Sequence, residues 1–418
     1  MTLAVVDRHD ALFVDLDGVI YRGDGPIPGA AETIDAVRGR PTRVLFITNN
    51  SARTPEEVAA KLGSVGVRVT ADQVLTSGVA TASTLRGEHM GDTAYVIGEG
   101  GVRDALLRAG IVVVDGEPDR TDLVIVGWDR SVDYAKLRRA SLLVQRGAAL
   151  VATNPDLTYP APDGLWPGAG SILAAVVAAS GAVPTVVGKP FAPLFRAAAE
   201  ATGARHPLVV GDRLDTDIRG AANMGWDSFL VFSGASTPRD LLTADSLPTY
   251  VASAVDGVLR SIPAARPRAA GEGDVAGIAR LLQESELSAT GLADRLSGTV
   301  LVRTSDADEG EGRDDPVVAT ACVQDIQGFG LLRSVAVAEP VRGTGLGMLT
   351  VAFAVAQARS HAIRHVFLFT ATAASFFSGL GFRQIDRTEL PQPVATSPQA
   401  REECAESAVA MELILQEG

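Results

Sequence analysis

Apolar runs that stop abruptly on polar residues recur through the first 260 residues. "ALFVDLD" (11–17) is apolar up to Val14, then sets Asp15 and Asp17 one residue apart, with Gly18 next. "RVLFITNN" (43–50) ends on Thr48, Asn49 and Asn50, "TVVGKP" (185–190) runs into Lys189, and "PLVVGDRLDTDI" (207–218) carries Asp212, Asp215 and Asp217. Runs that are apolar throughout, without polar alternation, predict strands covered on both faces. Helical patterns fall between them: near 30–38, from Pro55 with Thr54 as N-cap, from about 191, and from about 217 before "SFLVFSG". Strand–helix alternation of this kind predicts an α/β fold with a parallel, Rossmann-like sheet.

Residues 80–182 repeat the texture with fewer polar strand ends: "AYVIGEG", "GIVVVD", "DLVIVGW", a helix near 133–146, "AALVATN" and a helix near 170–180. Their main polar cluster is "NPDLTYPAPDGLWPGAGS", with Asn154 and Asp156. The simplest organisation is a core domain (1–79 and 183–262) interrupted by an inserted α/β cap (80–182). Proline, arginine and alanine at 263–270 read as a linker, and 271–418 as a further, α+β domain. Within it, "SDADEGEGRDD" (305–315) lacks apolar periodicity and reads as a loop between strands.

A length of 418 residues calls for two or three domains, and 46% apolar with 21% charged residues is a soluble, globular composition. The net charge of −13 argues against nucleic acid or an anionic membrane as partner. Cys322 and Cys404 stand far apart, which fits neither a disulfide scaffold nor a zinc site and suits a reducing cytoplasm. "MTLAVVDRHD" has neither a basic n-region nor a long apolar run, so neither a signal peptide nor a membrane span is read.

In an open parallel sheet the carboxyl ends of the strands share one crevice, so residues some 200 positions apart can meet there. Carboxylates gathered in that way need a cation to stay ionised, and an all-oxygen donor set selects a hard ion such as Mg²⁺. Asp15 or Asp17 can then act as a nucleophile, Lys189 can hold a phosphate oxygen, and Thr48 and the N–H groups near Asn49 can donate to others. Taken one at a time, the same stretches read equally well as turns or helix caps, and Asp215 reads as structural.

"FVDLDGV", "FITNNS", "GKP" and "GDRLDTDI", in this order and with a large insertion after the second, resemble the four motifs of the haloacid dehalogenase superfamily. "YRGDGPIPGA" and the 154–171 stretch resemble its C2-capped branch of nitrophenylphosphatases and phosphoglycolate phosphatases. The resemblance implies Asp15 as nucleophile and Asp17 as the acid that protonates the leaving alkoxide and then activates water. It further implies Mg²⁺ on Asp15, the Asp17 carbonyl and Asp212, with Asp217 supporting it through water. Thr48 and Asn49 would hold the phosphate, Lys189 would orient it, and Asn154 and Asp156 would be the cap's substrate contacts. An aspartate at position 17 implies a phosphatase or phosphomutase, and the size of the cap implies the phosphatase.

In "LLRSVAVAEPVRGTGLGMLTVAF" (331–353) the glycine-rich turn, with "FFSGLGF" about 30 residues on, resembles the acetyl-CoA motif of the GNAT acetyltransferases. That resemblance implies acetyl-CoA on Val335, Val337, Arg342, Gly343, Gly345 and Gly347. Phe377 stands where many of those enzymes carry a tyrosine acid, and Glu284 and Glu286 read as solvated. A phosphatase of this branch with such a tail resembles bacterial glycerol-3-phosphate phosphatases, so the expected substrate is glycerol 3-phosphate, with phosphoglycolate, nitrophenyl phosphate or a nucleotide as alternatives. From another class, an N-acetyltransferase or acyl-CoA-binding module is the competing reading.

Overall fold

Ala11–Val14 is buried at every position, as a strand flanked on both edges and covered on both faces must be. It pairs in parallel with Pro207–Gly211 on one side (Val14 opposite Val210) and Arg43–Thr48 on the other (Val14 opposite Phe46). Asp227–Val231 and Val74–Thr76 extend the same parallel sheet outward. These registers bring Asp15, Thr48 and Asp212 to the same edge. The computed structural model describes residues 3–161, 163–264, 266–303, 316–403 and 408–415, so the acidic run 305–315 and Cys404 lie outside the described residues. The chain divides into two compact units, Met1–Ala235 with Ser253–Arg260, and Ser236–Ala252 with Ser261–Gly418.

Within the first unit a second parallel sheet runs in the order Thr185–Val186, Ala149–Ala152, Leu123–Val126, Thr93–Ile97, Val112–Val114. The sequence reading grouped "TVVGKP" with the first sheet; its strand instead continues the second. Val187 N–H donates to the Ala152 carbonyl and Gly188 N–H to that of Thr153, so the ladder runs on and delivers Lys189 to the crevice. Both sheets share one apolar core, in which Phe13, Ile47, Val209 and Phe195 pack with Val102, Leu106 and Ile125. Full burial of each such side chain contributes about 1.5–3 kcal/mol. Helix Pro55–Ser64 starts on the predicted cap: Glu57 N–H donates to Thr54 Oγ1 (3.3 Å), and Thr54 N–H to Glu57 Oε2 (2.9 Å). Where one helix was expected from about 217, Leu214–Ile218 forms a widened turn that buries Asp217 before helix Arg219–Met224 begins. "LTYPAPDGLWP" forms an antiparallel hairpin, Thr158–Ala161 with Gly164–Pro167, that the pattern did not predict.

The second unit holds a sheet in the order Arg268–Ala269, Thr299–Arg303, Val317–Ile326, Phe329–Val337, His365–Thr370, Val409–Ile414, Arg383–Ile385. Only Phe329–Val337 and His365–Thr370 run parallel, and they pair over just Gly330–Leu331 and Val366–Phe367. Beyond that point the two strands have no paired register, while helix Leu346–Ser360 follows the glycine-rich turn.

Candidate active site

Asp15 extends the Ala11–Val14 strand, its N–H bonded to the Val210 carbonyl at 2.8 Å. Asp212 follows the neighbouring Pro207–Gly211 strand, and the widened turn brings Asp217 back beneath it. One carboxylate oxygen from each of Asp15, Asp212 and Asp217 lies within 4.8 Å of the other two, and all three residues are buried. Lys189, 3% exposed, places Nζ 2.5 Å from Asp15 Oδ1 and 2.6 Å from Asp217 Oδ1.

Three buried carboxylates on one ammonium leave surplus negative charge. Burial, and then the Asp217 charge, push Asp212 up to about 6. Burial also raises Asp15 well above the carboxylate range, against the pull of Lys189. Burial alone would lower Lys189, but the carboxylates of Asp15 and Asp217 outweigh it and hold the ammonium charged. A cluster of oxygen donors whose charge the protein does not neutralise fits a hard divalent cation.

Residues the sequence did not single out hold Asp212 in place. Ala235 N–H donates to its Oδ2 at 2.6 Å, Ser233 Oγ donates to the Gly18 carbonyl at 2.6 Å, and Arg22 donates to the carbonyls of Ser233 and Gly234. A Cβ on Gly234 would stand 1.9 Å from Asp212 Oδ2, and one on Gly18, where φ is +78°, 2.3 Å from it. The signal was present as the "SGAS" that follows the Asp227–Val231 strand.

Asp17 lies outside the carboxylate cluster. Burial raises its pKa above the ordinary carboxylate value, against the pull of three cations, Lys61, Lys189 and Arg53. Lys61 Nζ sits 4.0 Å over the Tyr21 ring, and Tyr159 of the hairpin stacks on Trp128 at 4.1 Å. Thr48 Oγ1 accepts from Asn50 N–H at 3.1 Å, and among the described residues its own proton is donated to no protein acceptor. Asp215, exposed, is tied by Arg213 at 3.1 and 2.7 Å.

Asn49 and Asn154, expected from the sequence to contact the substrate, have side chains whose donors are engaged with the protein. Asn49 Nδ2 donates to Asp156 Oδ2 (3.0 Å) and the Lys189 carbonyl (3.1 Å), and Asn154 Nδ2 donates to the Asn49 carbonyl (2.7 Å). Asn49 follows a strand of the first sheet and Asn154 one of the second, and there the amides satisfy backbone groups that burial would otherwise leave without partners. Asp156 keeps an acceptor available: among the described residues no hydrogen bond reaches its Oδ1.

In the second unit, a cavity of about 690 Å³ opens where Phe329–Val337 parts from His365–Thr370. Val335, Val337, Arg342, Gly343, Gly345 and Gly347 all line it, so the residues read as a cofactor cradle do come together. Gly345 precedes the first turn of the Leu346–Ser360 helix, whose unpaired N–H groups suit an anion. Phe377 also lines it, edge-on to Phe376 and Phe382, and Glu284 and Glu286 do not.

The sequence pattern of haloacid dehalogenase-like hydrolases matches residues 12–112, a HAD-hydrolase-like pattern matches 186–258, and the GNAT acetyltransferase family matches 274–382. An acid sugar phosphatase of Staphylococcus haemolyticus is 38% identical over 245 residues, 58% of this chain and 92% of that protein. The crystal structure of a glycerol phosphate phosphatase from Mycobacterium tuberculosis with magnesium is similar over 91% of this chain and 98% of its own (TM-score 0.69, 28% identity). That of a 4-nitrophenylphosphatase from Thermotoga maritima is similar over 61% and 98% (TM-score 0.58, 32% identity).

Proposed function

Because the chain belongs to the haloacid dehalogenase-like hydrolases and is a phosphatase with a GNAT-family domain behind it, we propose that it hydrolyses a small phosphate monoester, glycerol 3-phosphate foremost, through an ester formed on Asp15. The observation that carries the reading is Lys189 Nζ bridging Asp15 and Asp217, with Asp212 in the same cluster. Asp15, Asp212 and Asp217 would hold a divalent cation, Mg²⁺ first, with the Asp17 carbonyl as a further donor. Such an ion supplies positive charge against which an anionic ester and a carboxylate can approach each other. Asp15 forms a bond to phosphorus as the bond from phosphorus to the ester oxygen breaks, and Asp17 gives its proton to that oxygen. Asp17, now ionised, takes a proton from the water that attacks phosphorus; Asp15 is released and inorganic phosphate leaves. Lys189, the Thr48 hydroxyl and the Asn49 backbone N–H hold the phosphoryl oxygens.

Asp156 favours glycerol 3-phosphate over phosphoglycolate. A carboxylate with an available oxygen accepts a hydroxyl proton from a polyol, whereas it repels a second carboxylate. Phosphate release from a panel of esters, with Mg²⁺ and with EDTA, tests the reading. Metal-dependent release that is greatest for glycerol 3-phosphate is expected; no release from any ester in either condition overturns the phosphatase site, and a preference for phosphoglycolate overturns the substrate. The cavity of the second unit favours a further role, binding of an acyl-CoA with its pyrophosphate at Arg342–Gly347. No helix among the described residues is long and apolar enough to cross a membrane.

A further inference from the structure

We propose that the side chain of Asn49 is a positioning group, which locks Lys189 and Asp156 into one piece, and not a contact to the phosphate. The inference rests on Lys189 acting on the phosphoryl group as set out above. Lysine has a flexible four-carbon stem, so where its ammonium sits depends on how firmly its backbone is held. Asn49 holds that backbone at both of its polar groups: Lys189 N–H donates to Asn49 Oδ1 at 2.8 Å, and Asn49 Nδ2 donates to the Lys189 carbonyl at 3.1 Å. The second hydrogen on Nδ2 goes to Asp156 Oδ2 at 3.0 Å. The amide has no further hydrogen to give to a phosphate oxygen.

Asn49 is itself pinned, since its carbonyl accepts from Ser77 Oγ at 2.6 Å and from Asn154 Nδ2 at 2.7 Å. Asn154 Oδ1 in turn accepts from Asp156 N–H at 3.1 Å, closing a ring of bonds between the two asparagines and Asp156. Gly188 completes the fit, because a Cβ there would stand 2.7 Å from Asn49 Oδ1. Only a primary amide of this length accepts once and donates twice from one plane; aspartate has the shape and lacks both donors. The position of the leaving-group carboxylate is thereby tied to that of the ammonium that faces the nucleophile.

The test is steady-state kinetics of Asn49→Asp on glycerol 3-phosphate and p-nitrophenyl phosphate, with Mg²⁺. A misplaced ammonium lowers kcat on both esters by about tenfold or more and leaves KM within about threefold, because the lysine acts on the phosphoryl group common to both. Adding Asp156→Asn restores a donor–acceptor pair between the two side chains and recovers part of that kcat. A raised KM with kcat unchanged would show that the Asn49 side chain binds the phosphate and would overturn the proposal, as would kcat within threefold of the parent on both esters. Should Asn49→Asp not fold, Asp156→Ala carries the same test. It lowers kcat on p-nitrophenyl phosphate, whose leaving group has no hydroxyl for Asp156 to accept, and an unchanged kcat there overturns the coupling. A parent enzyme that releases phosphate from no ester would sink the underlying phosphatase site, a result separable from these.

Discussion

Asp15 and Asp17, separated only by Leu16, have different surroundings. Asp15 faces Lys189 and two carboxylates, while Asp17 faces Lys61, Lys189 and Arg53. The proposed division of labour matches these surroundings, with Asp15, in the cluster and bonded to Lys189, attacking phosphorus and Asp17, outside the cluster, moving the proton. Asp15→Asn keeps the shape and removes the nucleophile, so phosphate release should fall by roughly a thousandfold or more while the circular dichroism spectrum is retained; turnover within tenfold of the parent contradicts the assignment. Gly234→Ala tests the support of Asp212. A methyl group directed at a carboxylate 1.9 Å away must displace it, so the Mg²⁺ concentration for half-maximal activity should rise, by about tenfold. An unchanged metal requirement would mean that Asp212 is not a ligand.

Among the elements, strand ends place the chemistry and short braces hold it. The Thr185–Val186 strand belongs to one sheet and hands Lys189 to the crevice of the other, so two sheets of one unit build a single site. In the second unit, Asp274 begins helix Val275–Glu284 and accepts from the two terminal nitrogens of Arg268 (2.7 Å each), from Arg303 (2.8 Å) and from Gly271 N–H (2.9 Å). The Arg268 hydrogen bonds, opposed by partial burial, hold its pKa well below the ordinary carboxylate range. A depressed value means that its stabilisation is present above about pH 4 and is lost as pH falls through the lowered value. Asp274→Asn should therefore lower the thermal midpoint at pH 7, at a cost of about 1 kcal/mol after solvent screening. The parent and variant midpoints should converge under strongly acid conditions; a gap that persists there would point to a packing effect.

At the scale of the whole molecule, two ligands are expected to act on two units. Mg²⁺ should raise the thermal midpoint of the intact chain by relieving the repulsion among Asp15, Asp212 and Asp217, and Asp212→Asn should abolish most of that shift. Acetyl-CoA in excess should stabilise the chain through the 690 Å³ cavity, and Arg342→Ala should weaken the effect. A shift with neither ligand would leave both cavity and cluster without their proposed occupants. The net charge of −13 sharpens the point, since a small anion reaches such a chain through local positive devices: an ion, Lys189 or a helix N-terminus.

The order of apolar runs and their polar ends was enough to read the parallel α/β fold, the Thr54 cap and the cluster of Asp15, Lys189 and Asp212, because strand direction and cap chemistry are local properties of the chain. Register in three dimensions decided the rest. The sheet that owns residues 185–186, the Ser233–Ala235 loop that clamps Asp212, the 158–167 hairpin and the use of Asn49 as a brace all depend on contacts between distant segments. No local pattern reveals whether an asparagine at a strand end will meet a phosphate oxygen or a neighbouring backbone. Folding brought the Lys189 peptide and Asp156 against Asn49, and with one amide hydrogen on the Lys189 carbonyl and the other on Asp156, its side chain has none left for a ligand.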